Sequence, residues 1–512
     1  MKRLLALVRS GFITVLAVGC VAAFGAKPLA CSKPNIVVIL ADDLGYGDLT
    51  CYNAESRAST PNIDRLAASG VRFTDGHANA AVCTPSRYGI LTGRYCWRTR
   101  KKSGVLNGFS PPLIAGRRET IASLVKAEGY NTACVGKWHL GMTWPRVKDG
   151  GKRRIDFTAD IKDGPLDHGF DYYYGISASL DMPPYAWIEN RRVTEIPTEK
   201  ARPIRAEMIY MRAGPKAAGF KRENGLPGVM EKAVEYIAKQ SKETPFLLYV
   251  PLPSPHKPVM PLERFKGTSK AGIYGDYVVE TDWAVGRIIN ALKEKGFYEN
   301  TLIIFSSDNG SFASNAKYGV VKYGHLPNGR LRGEKTDIWE GGHRVPFIVV
   351  WPSEVKAGQK YDGTVAITDI MATIADVIGV KLADTAGEDS WSFLPALKGM
   401  TAEGVEERAW VHHSGGRLLA IRKGKWKLIM GKGSGGRGGR GGADDPPGQL
   451  YDMEKDVGEK NNLFPQYPEM VKILAEELET IVANGRSTPG TKQPNSGKTE
   501  CFSDEMKRYL DR

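Results

Sequence analysis

The run A-V-C-T-P-S-R-Y-G-I-L-T-G-R, from Ala81 to Arg94, holds the most reactive candidate in the chain. Thr84 can cap a helix, Pro85 suits its first position and Gly93 can end it, which sets Cys83 just before a helix N-terminus. Free amides and the positive end of the helix dipole favour an anion there. Four other elements carry groups fit for related chemistry. Asp42-Asp43 offers hard carboxylate oxygens for calcium or magnesium, and Asp308-Asn309 offers a carboxylate and a side-chain carbonyl. Lys137 and His139, in G-K-W-H-L-G, can converge on an anion and move protons. His256 sits in P-S-P-H-K-P, a proline-punctuated turn that restricts its position. Each group has a plainer reading in isolation, because free cysteines are commonly buried and D-N-G is a common turn.

Their placement relative to the predicted strands raises them above those plain readings. N-I-V-V-I-L, Asn35 to Leu40, is a continuous apolar run of the kind expected for a strand covered on both faces, and it runs directly into Asp42-Asp43. Thr132 to Val135 precedes K-W-H, Phe246 to Val250 precedes the proline turn, and Thr301 to Phe305 precedes S-D-N-G. All four elements therefore leave the C-terminal ends of buried strands, where open α/β sheets gather their ligands. Helices are predicted from Thr60 to Ser69, Glu119 to Glu128, Val229 to Lys239 and Gly275 to Lys295. Val278, Val285, Ile289 and Leu292 give the last of them one face to pack on the sheet. Farther on, Trp410 to His413, Leu418 to Arg422, Lys425 to Met430 and Gln449 to Tyr451 read as short antiparallel strands, and Met470 to Ala483 as an amphipathic helix. Gly431 to Gly448, with Arg437 and Arg440, reads as a flexible loop between two of those strands. Two stretches stay open at this level. The aromatics from Tyr172 to Trp187 either stack on sugar rings at the rim of a site or pack a long connection, and His325 and Asn328 either reach a substrate or belong to a plain loop.

C-T-P-S-R followed by L-T-G-R, with D-D, K-W-H, P-H, D-N-G and Lys335 of R-G-E-K at separate places, resembles the type I sulfatases of the alkaline phosphatase superfamily. The resemblance runs from about Lys33 through the C-terminal region. It implies an α/β catalytic domain over 33–400, with a large mixed, mainly parallel sheet between helices. A smaller C-terminal subdomain over 401–512 would hold an antiparallel sheet and a helix. It also implies oxidation of Cys83 to formylglycine by a formylglycine-generating enzyme. One calcium ion would be held by Asp42, Asp43, Asp308 and Asn309, with the modified Cys83 completing the site. In that family one hydroxyl of the hydrated aldehyde attacks sulfur and the other later expels sulfate. By resemblance, Lys137 and Lys335 contact the sulfate and Arg87 orients the hydrated aldehyde. His256 protonates the departing alcohol, and His139 accepts a proton as the aldehyde returns. The implied substrate is a sulfated carbohydrate, with a 6-sulfated galactose or N-acetylgalactosamine as the first choice. Two rivals share the pattern. A phosphate or phosphonate ester hydrolase on the same scaffold lacks support from a His-rich second metal set. A non-catalytic protein for anionic glycans leaves the intact reactive set unexplained.

Composition fits an exported globular protein. The 512 residues suffice for a sizeable core and more than one structural unit. Lys2, Arg3 and Arg9 precede an apolar run from Phe12 to Phe24, the form of a signal peptide over 1–25, and too short for a convincing membrane anchor. Periplasmic or secreted protein is expected. Ala17-Val18-Gly19-Cys20 loosely resembles a lipoprotein box, which makes lipid anchoring the alternative. The formal charge of +14 can raise the encounter rate with polyanions. No zinc-finger spacing or concentrated basic helix points to nucleic acid. Beyond the leader region and Cys83, only Cys51, Cys96, Cys134 and Cys501 remain, too sparse for a disulfide scaffold.

Overall fold

The strand Asn35–Asp42 is buried along its whole length and lies near the middle of a ten-stranded sheet. A computed structural model describes residues 33–147, 154–314, 320–400 and 407–511. The expected signal peptide, with its alternative ending before Cys20, lies outside the described residues. Residues Pro34–Arg512 form one compact unit.

Alternation along the central strand explains its continuous apolar run. Ile36, Val38 and Leu40 enter one hydrophobic core, while Val37, Ile39 and Ala41 enter the other. The first core takes Ile90 and Leu91 of the helix Cys83–Thr92, Ile121 and Leu124 of Ile121–Ala127, and Ile370 and Ile374 of Ile370–Val377. The second takes Leu66 of Pro61–Ala68, Val229 of Gly225–Ala238 and Val278, Val285 and Leu292 of Gly272–Glu294. Helices therefore cover both faces, and the predicted apolar stripe of the long helix does pack on the sheet.

The sheet is mixed and mainly parallel. Asn35–Asp42 pairs in parallel with Thr301–Ser307 on one side and Phe246–Pro255 on the other, and the latter pairs in parallel with Asn131–Lys137. These are the four strands whose ends carry the candidate motifs. Tyr172–Ile176 continues the parallel set, whereas Phe347–Val350 runs antiparallel to both of its neighbours, Thr301–Ser307 and Val71–His77. Sequence reading did not pick out Val71–His77 or Gln359–Ala366, which form the far edge. Their charged and polar alternation, V-R-F-T-D-G-H and Q-K-Y-D-G-T-V-A, lacks the uninterrupted apolar run of the centre.

The four predicted C-terminal strands form a separate antiparallel sheet, Ala409–His413, Leu419–Lys423, Trp426–Ile429 and Gln449–Asp452 in that order. The helix Pro468–Asn484 lays Val471, Leu474 and Leu478 against it. The Gly-rich segment between the last two strands is closely engaged in its first half. Ser434 O accepts from Ile338 N at 2.8 Å, and the amides of Arg437 and Gly438 donate to Thr336 Oγ1 at 3.1 Å and Asp337 Oδ1 at 2.9 Å. A Cβ at Gly436 would meet Thr336 O at 2.3 Å, so glycine permits this approach. Among the described residues, no helix is long and apolar enough to cross a membrane.

Candidate active site

Four adjacent parallel strands deliver their motifs to one edge. Asp42 and Lys137 are the last residues of their strands, while Asp308-Asn309 and His256 begin the loops leaving theirs. The helix carrying Cys83 differs in one detail from the sequence expectation. It begins at Cys83, Val82 is the N-cap, and no side chain caps it. Thr84 Oγ1 instead donates to His139 O at 3.0 Å and accepts from Leu106 N at 3.1 Å. Its hydroxyl ties the start of the helix to the K-W-H loop.

The loops are locally constrained. Asp43 has φ 66°, His139 φ 57° and Thr336, next to Lys335, φ 86°. Left-handed backbone is costly for such residues, most of all for β-branched Thr, and clusters where surrounding structure over-determines it. Thr336 shows how: its N donates to Ala81 O at 2.8 Å and its carbonyl accepts from Gly415 N at 2.8 Å. The D-N-G turn leaves no room for a side chain at Gly310, whose Cβ would lie 1.9 Å from Gly341 O. The segment from Trp339 to His343 thus buttresses that turn.

Charges interlock beneath Cys83. Lys137 Nζ donates to Asp42 Oδ2 at 2.6 Å, and Lys335 Nζ to Asp43 Oδ1 at 2.5 Å. Arg87 donates from Nε and Nη2 to Asp308 Oδ2 at 2.9 and 2.7 Å, and from Nη1 to Lys137 O at 3.0 Å. All three of its nitrogens are thus engaged with the carboxylate cluster and its backbone. Asn309 Nδ2 donates to Asp43 Oδ1 at 2.7 Å, and Asp43 N to Asp308 Oδ1 at 3.2 Å.

These contacts set the protonation states. Burial pushes the Asp42 carboxyl up, but Lys137, His256, Arg87 and Lys335 together hold it well below its ordinary range. Asp43 is lowered in the same way, chiefly by Lys335 against burial. At Asp308 burial and neighbouring Asp42 win over Arg87 and push the carboxyl up to about 7. Burial raises the Cys83 thiol against the pull of Lys137 and Lys335, so the unmodified sulfur is a poor nucleophile.

Both histidines have assignable tautomers, because a carbonyl only accepts. His139 Nε2 lies 2.8 Å from Leu106 O and so carries the proton, leaving buried Nδ1 bare and without a partner. Burial, with Lys137 beside it, holds this ring well below the usual imidazole range. His256 Nδ1 donates to Lys257 O at 2.5 Å, which turns Nε2 toward Asp43 Oδ2 at 3.6 Å.

The donor set fits a hard cation. Ligand atoms of Asp42, Cys83 and Asp308, and those of Asp42, Asp43 and His256, fall within 4.8 Å of one another. Asp42 Oδ1 and Asn309 Oδ1 are buried without hydrogen-bond partners, a costly state that a bound cation relieves. A second grouping, His77, Glu340 and His343, fits less well. Lys427 Nζ already donates to Glu340 Oε1 at 2.9 Å and lies 2.7 Å from Glu459 Oε1, putting a cation there, and His77 Nδ1 bonds His343 Nδ1 at 3.1 Å.

The sulfatase family model matches residues 34–380. The chain belongs to the sulfatase family. It is 36% identical to an N-acetylgalactosamine-6-O-sulfatase of Bacteroides thetaiotaomicron, over 88% of this chain and 93% of that protein. It is 30% identical to human steryl-sulfatase, over 89% of each. A solved structure described as "Metabolism of multiple glycosaminoglycans by bacteroides thetaiotaomicron is orchestrated by a versatile core genetic locus" has a TM-score of 0.77 at 35% identity, covering 88% of this chain and 99% of that one. Ps i-CgsB in complex with k-i-k-neocarrahexaose has a TM-score of 0.68 at 25% identity, covering 90% and 95%. The protein is a sulfuric ester hydrolase.

The sulfatase cleft above Cys83 has a volume of about 1090 Å³, with Asp43, Cys83, His256 and Lys335 among the residues lining it. Its walls come from segments that sequence reading had left open or without a role. Asp181, Arg205, Tyr210 and Arg212 supply one wall, and Gly435, Gly436 and Arg437 another. The aromatics from Tyr172 to Trp187 pack inside the fold: Tyr174 stacks on Trp187 at 5.0 Å and Tyr172 on Tyr236 at 6.1 Å, while Tyr173 and Tyr185 are fully buried. That settles the earlier alternative in favour of packing. His325 and Asn328 are also structural, bonding Asp48 Oδ1 at 2.8 Å and Ser311 N at 2.8 Å.

Proposed function

We propose that this sulfatase hydrolyses sulfate esters of carbohydrates, with 6-sulfated N-acetylgalactosamine or galactose as the favoured unit. One observation carries the reading. Cys83, Lys335 and His256 meet on the floor of a single cleft, with Lys137, His139 and the carboxylate cluster behind them and Arg205, Arg212, Lys257 and Arg437 at its walls. Similarity to the Bacteroides N-acetylgalactosamine-6-O-sulfatase supports the sugar.

Converted to formylglycine by a formylglycine-generating enzyme, position 83 supplies the paired hydroxyls for attack on sulfur and for later release of sulfate. A calcium ion held by Asp42, Asp43, Asp308 and Asn309, with position 83, supplies positive charge for the sulfate oxygens. The chain's own groups do the rest. Asp42, Asp43 and Asp308 are paired with Arg87, Lys137 and Lys335, and these ion pairs fix the two lysines beside the sulfate oxygens. Arg87 holds Asp308 and the end of the Lys137 strand, and through them the orientation of the nucleophile. His139 takes a proton at its bare Nδ1. With its Nδ1–H committed to Lys257 O, His256 gives the leaving oxygen a proton from Nε2 in its doubly protonated form, which burial and Lys335 oppose and Asp43 favours. The positive cleft walls speed capture of a polyanionic glycan. Export to the periplasm or beyond completes the reading, with lipid anchoring as its alternative.

The direct test measures sulfate release across defined sulfated mono- and oligosaccharides, beside phosphate and phosphonate esters of the same alcohols. Preference for 6-sulfated N-acetylgalactosamine or galactose is expected, and preference for the phosphorus esters would defeat the proposal.

Two further outcomes are expected. Chelation of calcium should lower both activity and the thermal unfolding midpoint, with calcium restoring them, because ion binding to the native state stabilises it by mass action. Two stoichiometric zinc ions in elemental analysis would contradict this. His256→Ala should slow hydrolysis of a sugar sulfate by roughly a hundred- to ten-thousandfold, while sparing 4-nitrophenyl sulfate, whose phenolate needs no proton. Equal losses on both would remove His256 from the proton-donor role.

A further inference from the structure

Asp181 stands out on the cleft wall because its charge is wrong for an anionic ester. It is 4% exposed, lines the cleft, and has Oδ1 buried without any hydrogen-bond partner. Its other oxygen lies 3.7 Å from Arg212 Nη2, at ion-pair range and beyond a good hydrogen bond. The carboxylate is not loosely placed. Asp181 O accepts from Arg212 N at 3.1 Å, and the buried Tyr185 hydroxyl bridges the carbonyls of Asp181 and Arg212 at 2.9 and 2.7 Å. A fixed, buried carboxylate oxygen left without a donor is costly in a folded protein and calls for a ligand.

The chemistry of that ligand follows from the acceptor. An ionised carboxylate only accepts hydrogen bonds, and it repels the sulfate held at Lys335 across the same cleft. It therefore faces an uncharged part of the substrate that presents a donor. Aryl and steryl groups have no such donor beside the ester; a sugar has ring hydroxyls and, in an amino sugar, an amide N–H. Arg212 lines the cleft beside Asp181, so the pair offers an acceptor and a donor together, matching a hydroxyl that both gives and receives.

We propose that Asp181, paired with Arg212, is a specificity-determining residue that accepts a hydrogen bond from a hydroxyl or amide of the sulfated sugar. The assignment rests on the carbohydrate sulfatase reading and deepens it by naming the residue that reads the sugar rather than the sulfate. A site built around a substrate hydrogen bond rejects analogues lacking it, because its buried polar group is then left unpaired.

The test compares wild type, Asp181→Ala and Asp181→Asn on 6-sulfated N-acetylgalactosamine, 6-sulfated galactose and their monodeoxy analogues. Inorganic sulfate serves as a competitive inhibitor in every assay. Asp181→Ala is expected to lose roughly ten- to a hundredfold in kcat/KM on the sugar sulfates. Asp181→Asn should lose less, because its carbonyl still accepts a hydrogen bond. The inhibition constant of inorganic sulfate should stay unchanged. Wild type should lose a similar factor on one deoxy analogue, on which Asp181→Ala loses nothing further; if the 2-deoxy sugar is the one that shows that loss, the donor is the group on carbon 2, which is the amide in N-acetylgalactosamine. Unchanged kcat/KM on the sugar sulfates, or weakened inhibition by sulfate in parallel with lost turnover, would overturn the proposal. The analogue series in wild type decides the matter even if a variant does not fold: equal turnover of every analogue removes the contact. Absence of sulfate release from every ester is a different failure, that of the carbohydrate sulfatase reading itself.

Discussion

Cys83→Ser should lose turnover by roughly a ten-thousandfold to a millionfold, the scale on which removal of a covalent nucleophile is felt. Serine retains one hydroxyl in place of the sulfur and offers no second one to expel bound sulfate, so any first turnover strands the enzyme. The position is 2% exposed at the first turn of a buried helix, and the swap of sulfur for oxygen adds no volume there. Structure should therefore survive while catalysis fails. Two measurements check this: steady-state turnover of the variant, and mass spectrometry of the peptide spanning position 83 in active native protein. The native peptide should carry the aldehyde. Finding only cysteine there in active enzyme would overturn the mechanism, since burial keeps that thiol protonated and the carboxylates beneath it oppose a thiolate.

The floor of the cleft was legible in the sequence because its motifs sit at the ends of the most readable strands. A strand buried on both faces has to be apolar at every position, so Asn35–Asp42, Phe246–Pro255 and Thr301–Ser307 announce themselves, and the polar residues that follow mark one edge of the sheet. The walls of the cleft were not legible. Arg205, Tyr210 and Arg212 lie in and between strands of two or three residues, Ile204–Arg205, Tyr210–Met211 and Gly214–Lys216, which carry too few residues for any periodicity. Arg437 reaches the site through hydrogen bonds from a Gly-rich segment to Thr336 and Asp337, about a hundred residues earlier, a pairing that no local pattern encodes. Aromatic richness from Tyr172 to Trp187 left two readings open for a physical reason. Large rings are as useful for filling a long irregular connection as for stacking on a sugar, and composition does not distinguish the two.

Arg87→Met should damage stability and activity together, and calcium should repair part of the first. The guanidinium is fully buried, gives two hydrogen bonds to Asp308 and one to Lys137 O, and lies 3.5 Å from Asp42 Oδ1. Methionine fills comparable space but leaves two buried carboxylates short of a cation, a change that costs about 3–5 kcal/mol when one partner of a buried pair is removed. Asp308, already pushed up to about 7 by burial and Asp42, would rise further and hold its proton at neutral pH, becoming a poorer ligand. Arg87→Lys should not restore function, because a single ammonium cannot span Asp308 and the Lys137 carbonyl as the planar fork does. Loss of a preorganised charge at the site should lower kcat/KM by roughly a hundred- to a thousandfold. Unfolding midpoints of wild type and variant, each in chelator and in saturating calcium, separate the two contributions. The gap between the proteins should be widest in chelator and narrow with calcium, which supplies positive charge to the same carboxylates. Identical midpoints in chelator would show that the guanidinium does not hold the cluster together. A gap untouched by calcium would place the ion's binding site away from Asp42 and Asp308.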